Sequence, residues 1–190
     1  MKRFLAGLEP REAGLIAAAV ALVADQGSKL FMLYGLGFVN MGPGQSIPVI
    51  PFFNLVMVWN PGISYGLFPA SGPLGTALLV SMGLVAVAGL TWWLWGSASR
   101  ALACGFGLII GGALGNLIDR LLYGKVADFF HFYGFGYDWY VFNIADLAIT
   151  LGAAAIIYDV LKPEHGQHGH ARQGHEPDKD RSATDTPEGQ

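Results

Sequence analysis

Residues 102–122 read LACGFGLIIGGALGNLIDRLL, an almost uncharged stretch in which Asp119 and Arg120 are the only ionisable side chains besides the thiol of Cys104. A helix needs roughly 20 mainly apolar residues to cross a bilayer core of about 30 Å. Residues 14–33, 74–95 and 140–161 also meet that length and composition. The sequence therefore predicts an all-α membrane protein with four transmembrane helices, at about 14–33, 74–95, 102–122 and 140–161.

The composition agrees with a membrane protein. The chain has 190 residues, of which 53% are apolar and 13% are charged, whereas soluble domains average about 25% charged. The same figures exclude a chain that is disordered throughout. One cysteine, Cys104, excludes a disulfide framework and a cysteine-ligated metal cluster. The net charge of -3 argues against a nucleic-acid partner.

The C-terminal part of the chain differs from the rest. From residue 163 the chain consists mostly of charged, Gly, Pro, His and Gln residues, which bury too little apolar surface to offset the entropy of ordering. We therefore divide the chain into a transmembrane domain at 1–162 and a disordered cytoplasmic tail at 163–190. Four histidines of the tail could form a metal-binding tract, but composition favours a solvated tail; they are His165, His168, His170 and His175.

The distribution of Lys and Arg predicts the orientation in the membrane. Basic residues precede the first span, separate the second from the third and follow the fourth, whereas residues 34–72 carry no charge. Because Lys and Arg favour the cytoplasmic side, both termini are expected in the cytoplasm. The basic residues concerned are Lys2, Arg3, Arg11, Arg100 and Lys162, and the other outer loop holds only Lys125.

The uncharged outer segment is unsuited to a simple helix. Pro43, Pro48 and Pro51 interrupt it, and residues 50–59 are rich in aromatic and β-branched side chains. We expect a small extracytoplasmic β-like platform between helices 1 and 2, which lies on the bilayer surface or covers a cavity.

Polar residues inside the spans are costly and tend to mark functional or packing sites. Asp25 and Lys29 are one helical turn apart and could form an ion pair, which either fixes the first helix or belongs to a functional site. Asn116, Asp119 and Arg120 close the third span, where a pair that compensates Arg120 is the simplest interpretation. Gly107, Gly111 and Gly115 recur every four residues and predict a face for close helix packing.

Two acids are expected to meet. Asp128 follows the outward-running third span, and Asp146 lies near the start of the inward-running fourth span. Two carboxyls that share a site do not easily both ionise, so one stays protonated while the other acts as a general base, as in aspartic proteases. The alternative is that Asp128 is a loop acid and Asp146 a helix-cap partner of Asn143.

Five segments resemble the signature blocks of the bacterial lipoprotein signal peptidases (signal peptidase II). They read DQGSK at 25–29, NPGISYG at 60–66, GGALGNLIDR at 111–120, VADF at 126–129 and FNIAD at 142–146. They occur in the order of the family, with four spans in matching places. Gly27 and Leu147 depart from residues common in the family, which affects only the fine positioning of the first and fourth helices.

The resemblance implies an aspartyl endopeptidase of the bacterial inner membrane whose catalytic dyad falls on Asp128 and Asp146. It implies a prolipoprotein substrate whose cysteine carries a diacylglyceryl group, cleaved just before that cysteine. Partners would then be lipid-modified prolipoproteins and membrane lipid, and no metal or organic cofactor is required. The family positions that support the site fall on Asp25, Lys29, Asn60, Gly62, Gly115, Asn116, Arg120 and Asn143.

Two other classes of protein also retain charges in a membrane. A proton-coupled transporter would place acids at membrane depth, although it more often shows repeats or broken helices near the midplane. A non-enzymatic subunit could use the glycine face for helix pairing, but that role does not explain two acids at one depth.

Overall fold

The computed structural model describes residues 7–42, 45–62 and 72–162, and the predicted tail lies outside these residues. Four helices are long and apolar enough to cross a membrane. They are α1 (Pro10–Leu30, continued by a π-helical turn at Phe31–Gly35), α2 (Gly72–Trp95), α3 (Arg100–Tyr123) and α4 (Ile144–Leu161). The predicted four-helix membrane architecture is confirmed.

Helix α3 lies at the centre of the bundle and is the most buried of the four. It packs extensively against α1 and α4 and less extensively against α2. The predicted glycine face is directed at α1, because a Cβ on Gly107 would collide with the backbone of Gly14 and one on Gly111 with the carbonyl of Ala18. Small residues therefore allow the two helix backbones to approach closely.

A second glycine face of α3 is directed at α4. A Cβ on Gly112 would lie 2.5 Å from the carbonyl oxygen of Ala145, and one on Gly105 would lie 3.0 Å from that of Gly152. In return, a Cβ on Gly152 would lie 2.6 Å from the carbonyl oxygen of Gly105. Close contact on both sides fixes the start of α4 relative to α3.

The platform is a four-stranded antiparallel sheet in the order β1-β2-β3-β4. Strands β1 (Ser46–Ile50) and β2 (Phe53–Asn60) come from the predicted segment, and β3 (Val126–Gly134) and β4 (Tyr137–Asp138) follow α3. The predicted strand-like run is broken at Phe52, which takes a positive φ of 73° in the turn between β1 and β2.

A buried apolar cluster joins the sheet to the bundle. Leu33 from the π-helical turn and Phe38 from the following 3-10 turn (Phe38–Asn40) pack with Ala127 and Phe129 of β3. All four are at most 2% exposed. The strand that carries Asp128 is therefore held against the end of α1.

The fourth helix begins later than predicted. The apolar stretch from Tyr140 suggested a helix, but α4 starts at Ile144 because Asn143 is its N-cap. The Asn143 side chain accepts a hydrogen bond from the backbone N–H of Asp146, and the Asp146 side chain accepts one from the backbone N–H of Asn143, which forms a capping box. Asp146 thus lies in the first turn of α4.

Candidate active site

Asp128 lies within β3 rather than in a loop, which corrects the simpler interpretation of this acid. It is paired with Val58 of β2 in the sheet and is 1% exposed. Its Oδ1 accepts a hydrogen bond from Asn143 Nδ2 at 2.6 Å, and its Oδ2 accepts one from Asn60 Nδ2 at 3.1 Å. Both oxygens are therefore held by neutral amide donors.

Asp146 meets this group from the first turn of α4. Its Oδ1 accepts a hydrogen bond from Asn116 Nδ2 at 3.1 Å, and its Oδ2 accepts one from the Asn143 backbone N–H at 3.3 Å. The helix-cap role that we considered for Asp146 is thus present. It uses one carboxyl oxygen and leaves the other bonded to α3.

Two asparagines connect the acids. Asn143 Nδ2 lies 2.6 Å from Asp128 Oδ1 and 3.2 Å from Asn116 Oδ1, while Asn116 Nδ2 bonds to Asp146. Asn143 is fully buried, and its Nδ2 also lies 3.3 Å from the carbonyl oxygen of Ala127. A continuous chain of amide contacts therefore runs from one carboxyl to the other.

The environment of Asp128 favours its protonated form. Burial, together with the nearby Asp146 carboxyl, raises the pKa of Asp128 from 3.8 to about 7. The hydrogen bonds from Asn60 and Asn143 and the charge of Lys29 lower the pKa of Asp128 but do not cancel the effect of burial. At neutral pH, Asp128 is therefore protonated in a large share of the molecules.

Arg120 closes the outer edge of the site. Its Nη1 donates to the carbonyl oxygen of Asn116 at 3.2 Å and its Nη2 to that of Gly62 at 2.8 Å. Gly62 is buried, and its N–H donates to Asn60 Oδ1 at 3.0 Å. Residues 63–66 of the same block lie outside the described residues.

Arg120 is not compensated by an ion pair within its own helix, as the sequence suggested. Among the described residues, Asp119 forms an ion pair with Lys29, in which Oδ2 and Nζ are 2.9 Å apart, and it forms none with Arg120. The guanidinium instead makes carbonyl hydrogen bonds, and it lies within electrostatic range of Asp146 and Asp128.

The predicted pair of Asp25 and Lys29 is present as part of a larger buried cluster. Lys29 Nζ lies 2.8 Å from Asp25 Oδ2, 2.9 Å from Asp119 Oδ2 and 3.2 Å from Asn116 Oδ1. Gln26 Nε2 lies 3.1 Å from Asp25 and from Asp119, and Gly115 leaves the room that Asp25 needs. The cluster joins α1 to α3 next to the two acids.

The cluster also holds the backbone next to each acid. Asp25 Oδ1 accepts the N–H of Ala145 at 2.9 Å, immediately before Asp146. Asp119 Oδ2 accepts the N–H of Ala127 at 3.1 Å, immediately before Asp128. Lys29 neutralises charge on both carboxylates, so one buried ammonium group links the positions of both acids.

All the residues predicted for the site lie in or next to this group, and two further residues join them. Gln26 bridges the buried cluster, and its place one residue after Asp25 was the available signal. Tyr140 Oη accepts a hydrogen bond from Asn60 Nδ2 at 2.6 Å. Tyr140 falls at the start of a predicted membrane span, and no local pattern distinguishes it.

Two cavities meet at Arg120. One, of about 490 Å³, lies between α2, α3 and α4 and reaches Asp146, Asn116 and Asn60. The other, of about 840 Å³, lies between the outer halves of α2 and α3. Arg120 lines both cavities. Within the described residues, no group of three or more His, Cys, Asp or Glu side chains is arranged to hold a metal ion.

Comparison with known proteins gives a consistent result. A family model described as signal peptidase (SPase) II matches residues 17–162. A lipoprotein signal peptidase of Methylorubrum extorquens is 49% identical over 150 residues, which are 79% of this chain and 86% of the relative. One from Rhodopseudomonas palustris is 48% identical over 158 residues, covering 81% of this chain and 94% of the relative.

Solved structures agree with the fold. A bacterial membrane enzyme determined at 2.3 Å resolution has a TM-score of 0.69 and 28% sequence identity, over 85% of this chain and 94% of that one. A second, determined at 1.9 Å, has a TM-score of 0.66 and 32% identity, over 78% and 92% of the two chains.

Proposed function

This chain belongs to the signal peptidase II family, and we propose that Asp128 and Asp146 are the catalytic pair with which it removes signal peptides from lipoprotein precursors. The chain is an aspartic-type membrane peptidase by its family. Family membership decides against the transporter and the non-enzymatic subunit. The observation that carries the assignment of the dyad is the convergence of both acids on Asn116 and Asn143.

The environment of Asp128 supports a chemical role rather than a purely structural one. Among the described residues, its hydrogen bonds come from the neutral amides of Asn60 and Asn143, and it forms no ion pair. A buried acid without a cationic partner is costly. A shared proton between two acids reduces that cost and is the state that activates water.

The mechanism begins with Asp128 and Asp146 holding one proton between them. Asp146 takes a proton from a water molecule, and the hydroxide oxygen bonds to the carbonyl carbon of the scissile peptide. Asp128 gives its proton to the carbonyl oxygen, so a neutral tetrahedral diol forms. Asp128 then takes a proton back from a diol hydroxyl while Asp146 protonates the amide nitrogen. The C–N bond breaks, and a carboxylic acid and an amine are released.

The cavities suit a lipid-modified substrate. The cavity at Asp146 is lined mainly by apolar side chains such as Leu79, Met82 and Ile149. Because α2 packs mainly against α3, an apolar signal-peptide helix could enter between α2 and α4 from the bilayer. The outer cavity, lined by Val80 and Leu121 among others, would take the diacylglyceryl chains. This arrangement supports cleavage just before the lipid-bearing cysteine.

The position of the site supports an extracytoplasmic location in the inner membrane. Ser99, before α3, bonds to Asp159 near the end of α4 at 3.0 Å, so the basic residues Arg100 and Lys162 lie at one end of the bundle. The sheet and the two acids lie at the other end. By the positive-inside rule, the basic end faces the cytoplasm, and both termini with it.

The direct test is cleavage of a diacylglyceryl-modified precursor by the purified chain in detergent, without a gradient or a second protein. Asp128→Asn and Asp146→Asn should each lower kcat by at least about a thousandfold, as loss of a catalytic group does in other proteases. Asp138→Asn removes an exposed carboxyl of β4 and should cleave normally. Normal cleavage by either dyad variant would disprove the assignment.

A further inference from the structure

Lys125 lies just after the end of α3 that carries the sheet. It follows Gly124, the C-cap of the helix, and its side chain is exposed. Between Arg100 and Lys162 the sequence holds no Lys or Arg besides Arg120 and Lys125. Basic residues are disfavoured on the extracytoplasmic side of a membrane, where we propose that this end lies. A lysine that is present against this preference calls for an explanation.

The side chain of Lys125 lines the outer cavity of about 840 Å³, together with Arg120 and with apolar side chains such as Val80 and Leu121. Arg120 also lines the cavity that reaches Asp146. A lipid attached next to a peptide bond at the dyad would therefore pass Arg120 on its way into the outer cavity. Apolar walls below a cation suit an amphiphile that carries hydrogen-bond acceptors above its chains.

The other polar side chains of the outer cavity already have partners. Both Nη atoms of Arg120 donate to backbone carbonyl oxygens, and so do the hydroxyls of Thr76 and Ser81. Tyr123 Oη lies 3.3 Å from a second tyrosine hydroxyl. Lys125 takes part in none of the ion pairs among the described residues. Its ammonium group, which has three N–H donors, is therefore available to a ligand.

The position of Lys125 relative to the dyad fits a lipid-bearing cysteine. Lys125 is three residues before Asp128, and residues 126–128 belong to the extended strand β3. At about 3.3 Å per residue, the two α-carbons are at most about 10 Å apart. In a diacylglyceryl cysteine the glycerol is bonded to the sulfur, and its ester carbonyls lie a few bonds further out. When the preceding peptide bond lies at the dyad, a flexible lysine at this distance reaches those oxygens.

We propose that the ammonium group of Lys125 donates a hydrogen bond to an ester carbonyl of the diacylglyceryl group while the acyl chains fill the outer cavity. The inference rests on the proposed function and adds a residue that recognises the lipid. Because every diacylglyceryl cysteine carries these esters, one contact serves all precursors and rejects those that lack the lipid.

The phosphate of an anionic phospholipid is a different acceptor for the same ammonium group. The substrate is the better occupant, because a phospholipid would fill the space that the acyl chains of the substrate need. The two ligands also have different consequences. A contact with the substrate depends on how its chains are linked to glycerol, whereas a contact with a phospholipid depends on the composition of the membrane.

The experiment measures kcat and KM of the purified chain in a non-ionic detergent for two precursor peptides. One carries a dipalmitoylglyceryl cysteine, and the other carries its dihexadecyl ether analogue, which keeps the chains but lacks the carbonyl oxygens. We expect Lys125→Met to raise KM for the ester peptide about tenfold, the lower end for a hydrogen bond from a charged group. The value of kcat should not change, because the contact is the same in the bound substrate and in the transition state.

The ether peptide tests the contact itself. Its KM should already be about tenfold higher with the unaltered chain, and Lys125→Met should not raise it further. Lys125→Arg keeps a cationic donor and should retain most of the affinity for the ester peptide. Lys162→Met is the same substitution at an exposed position at the other end of the bundle and should leave both KM values normal. The Tm of Lys125→Met should equal that of the unaltered chain.

Four results would overturn the inference. A normal KM of Lys125→Met for the ester peptide would show that Lys125 does not bind the substrate, and an equal rise for both peptides would show that it does not bind the esters. An effect that appears only in vesicles containing phosphatidylglycerol, whatever the linkage, would assign Lys125 to a phospholipid. In these three cases cleavage by the unaltered chain still supports the proposed function. If the unaltered chain cleaves neither peptide, the proposed function fails and the inference fails with it.

Discussion

Asp128→Asn should change how the stability of the protein depends on pH, independently of turnover. Asp128 is 1% exposed, and its pKa of about 7 in the folded chain lies well above the ordinary value of 3.8. A carboxyl with a raised pKa binds its proton more tightly in the folded state than in the unfolded state. The free energy of unfolding therefore falls as the pH rises from about 4 to about 7 and is then constant.

The magnitude follows from the same difference. A shift of about three pH units at about 1.36 kcal/mol per unit corresponds to a cost of about 4 kcal/mol above pH 7. Asparagine carries no charge and avoids this cost. However, its NH₂ group would face a donor amide of Asn60 or Asn143, which loses one hydrogen bond worth about 1 kcal/mol. The variant should be about 3 kcal/mol more stable at pH 8 and about 1 kcal/mol less stable at pH 4.

Thermal unfolding of both proteins in one detergent, followed by circular dichroism between pH 4 and pH 8, measures this difference. A gain of about 3 kcal/mol corresponds to a rise in Tm of about 6–12 °C for a chain of this size. The two stability curves should cross between these pH limits. Asp138→Asn, whose carboxyl is 84% exposed, should show no crossing. A difference between Asp128→Asn and the unaltered chain that is the same at every pH would refute the reasoning.

Three further outcomes follow from the site and the bundle. Asn60→Ala removes a hydrogen bond that lowers the pKa of Asp128, so the alkaline limb of the kcat/KM profile should move to higher pH; an unmoved limb would contradict this. Gly111→Ala places a methyl group against a backbone carbonyl of α1 and should lower the free energy of unfolding by about 1–3 kcal/mol or more, and Tm with it, whereas Gly89→Ala, which meets open space, should not lower Tm. Lys29→Met leaves two buried carboxylates without their cation and should cost about 3–5 kcal/mol in thermal unfolding, and a normal Tm would show that the ion pairs contribute little.

Features that depend on local spacing could be predicted from the sequence. The apolar length of 102–122 predicted α3, and the four-residue recurrence of Gly107 and Gly111 predicted a face for close helix packing, which the structure directs at α1. The convergence of Asp128 and Asp146 followed from antiparallel helices joined at one end. Each inference needs only helix geometry and the order of the elements.

Features that depend on competition between residues of different elements could not be predicted from the sequence. Spacing alone suggested that Asp119 would compensate Arg120, but Lys29, which lies on another helix, pairs with Asp119. The apolar stretch at 140–142 suggested helix, but the capping box of Asn143 begins α4 later. Instead, Phe142 pairs with Phe130 of β3, and this pairing leaves Tyr140 outside the helix and beside Asn60.

The buried cluster around Lys29 explains how a small bundle can hold two acids from different elements. Asp128 is on a strand and Asp146 is on a helix, so no single element fixes their relative position. Asp25 holds the N–H of Ala145, and Asp119 holds the N–H of Ala127. Lys29 binds both carboxylates, and leaving either of them unpaired in a low-dielectric interior is costly. A movement of one acid away from the other would therefore have to break charge-assisted bonds in the cluster, and this couples the geometry of the proposed dyad to the packing of α1 against α3.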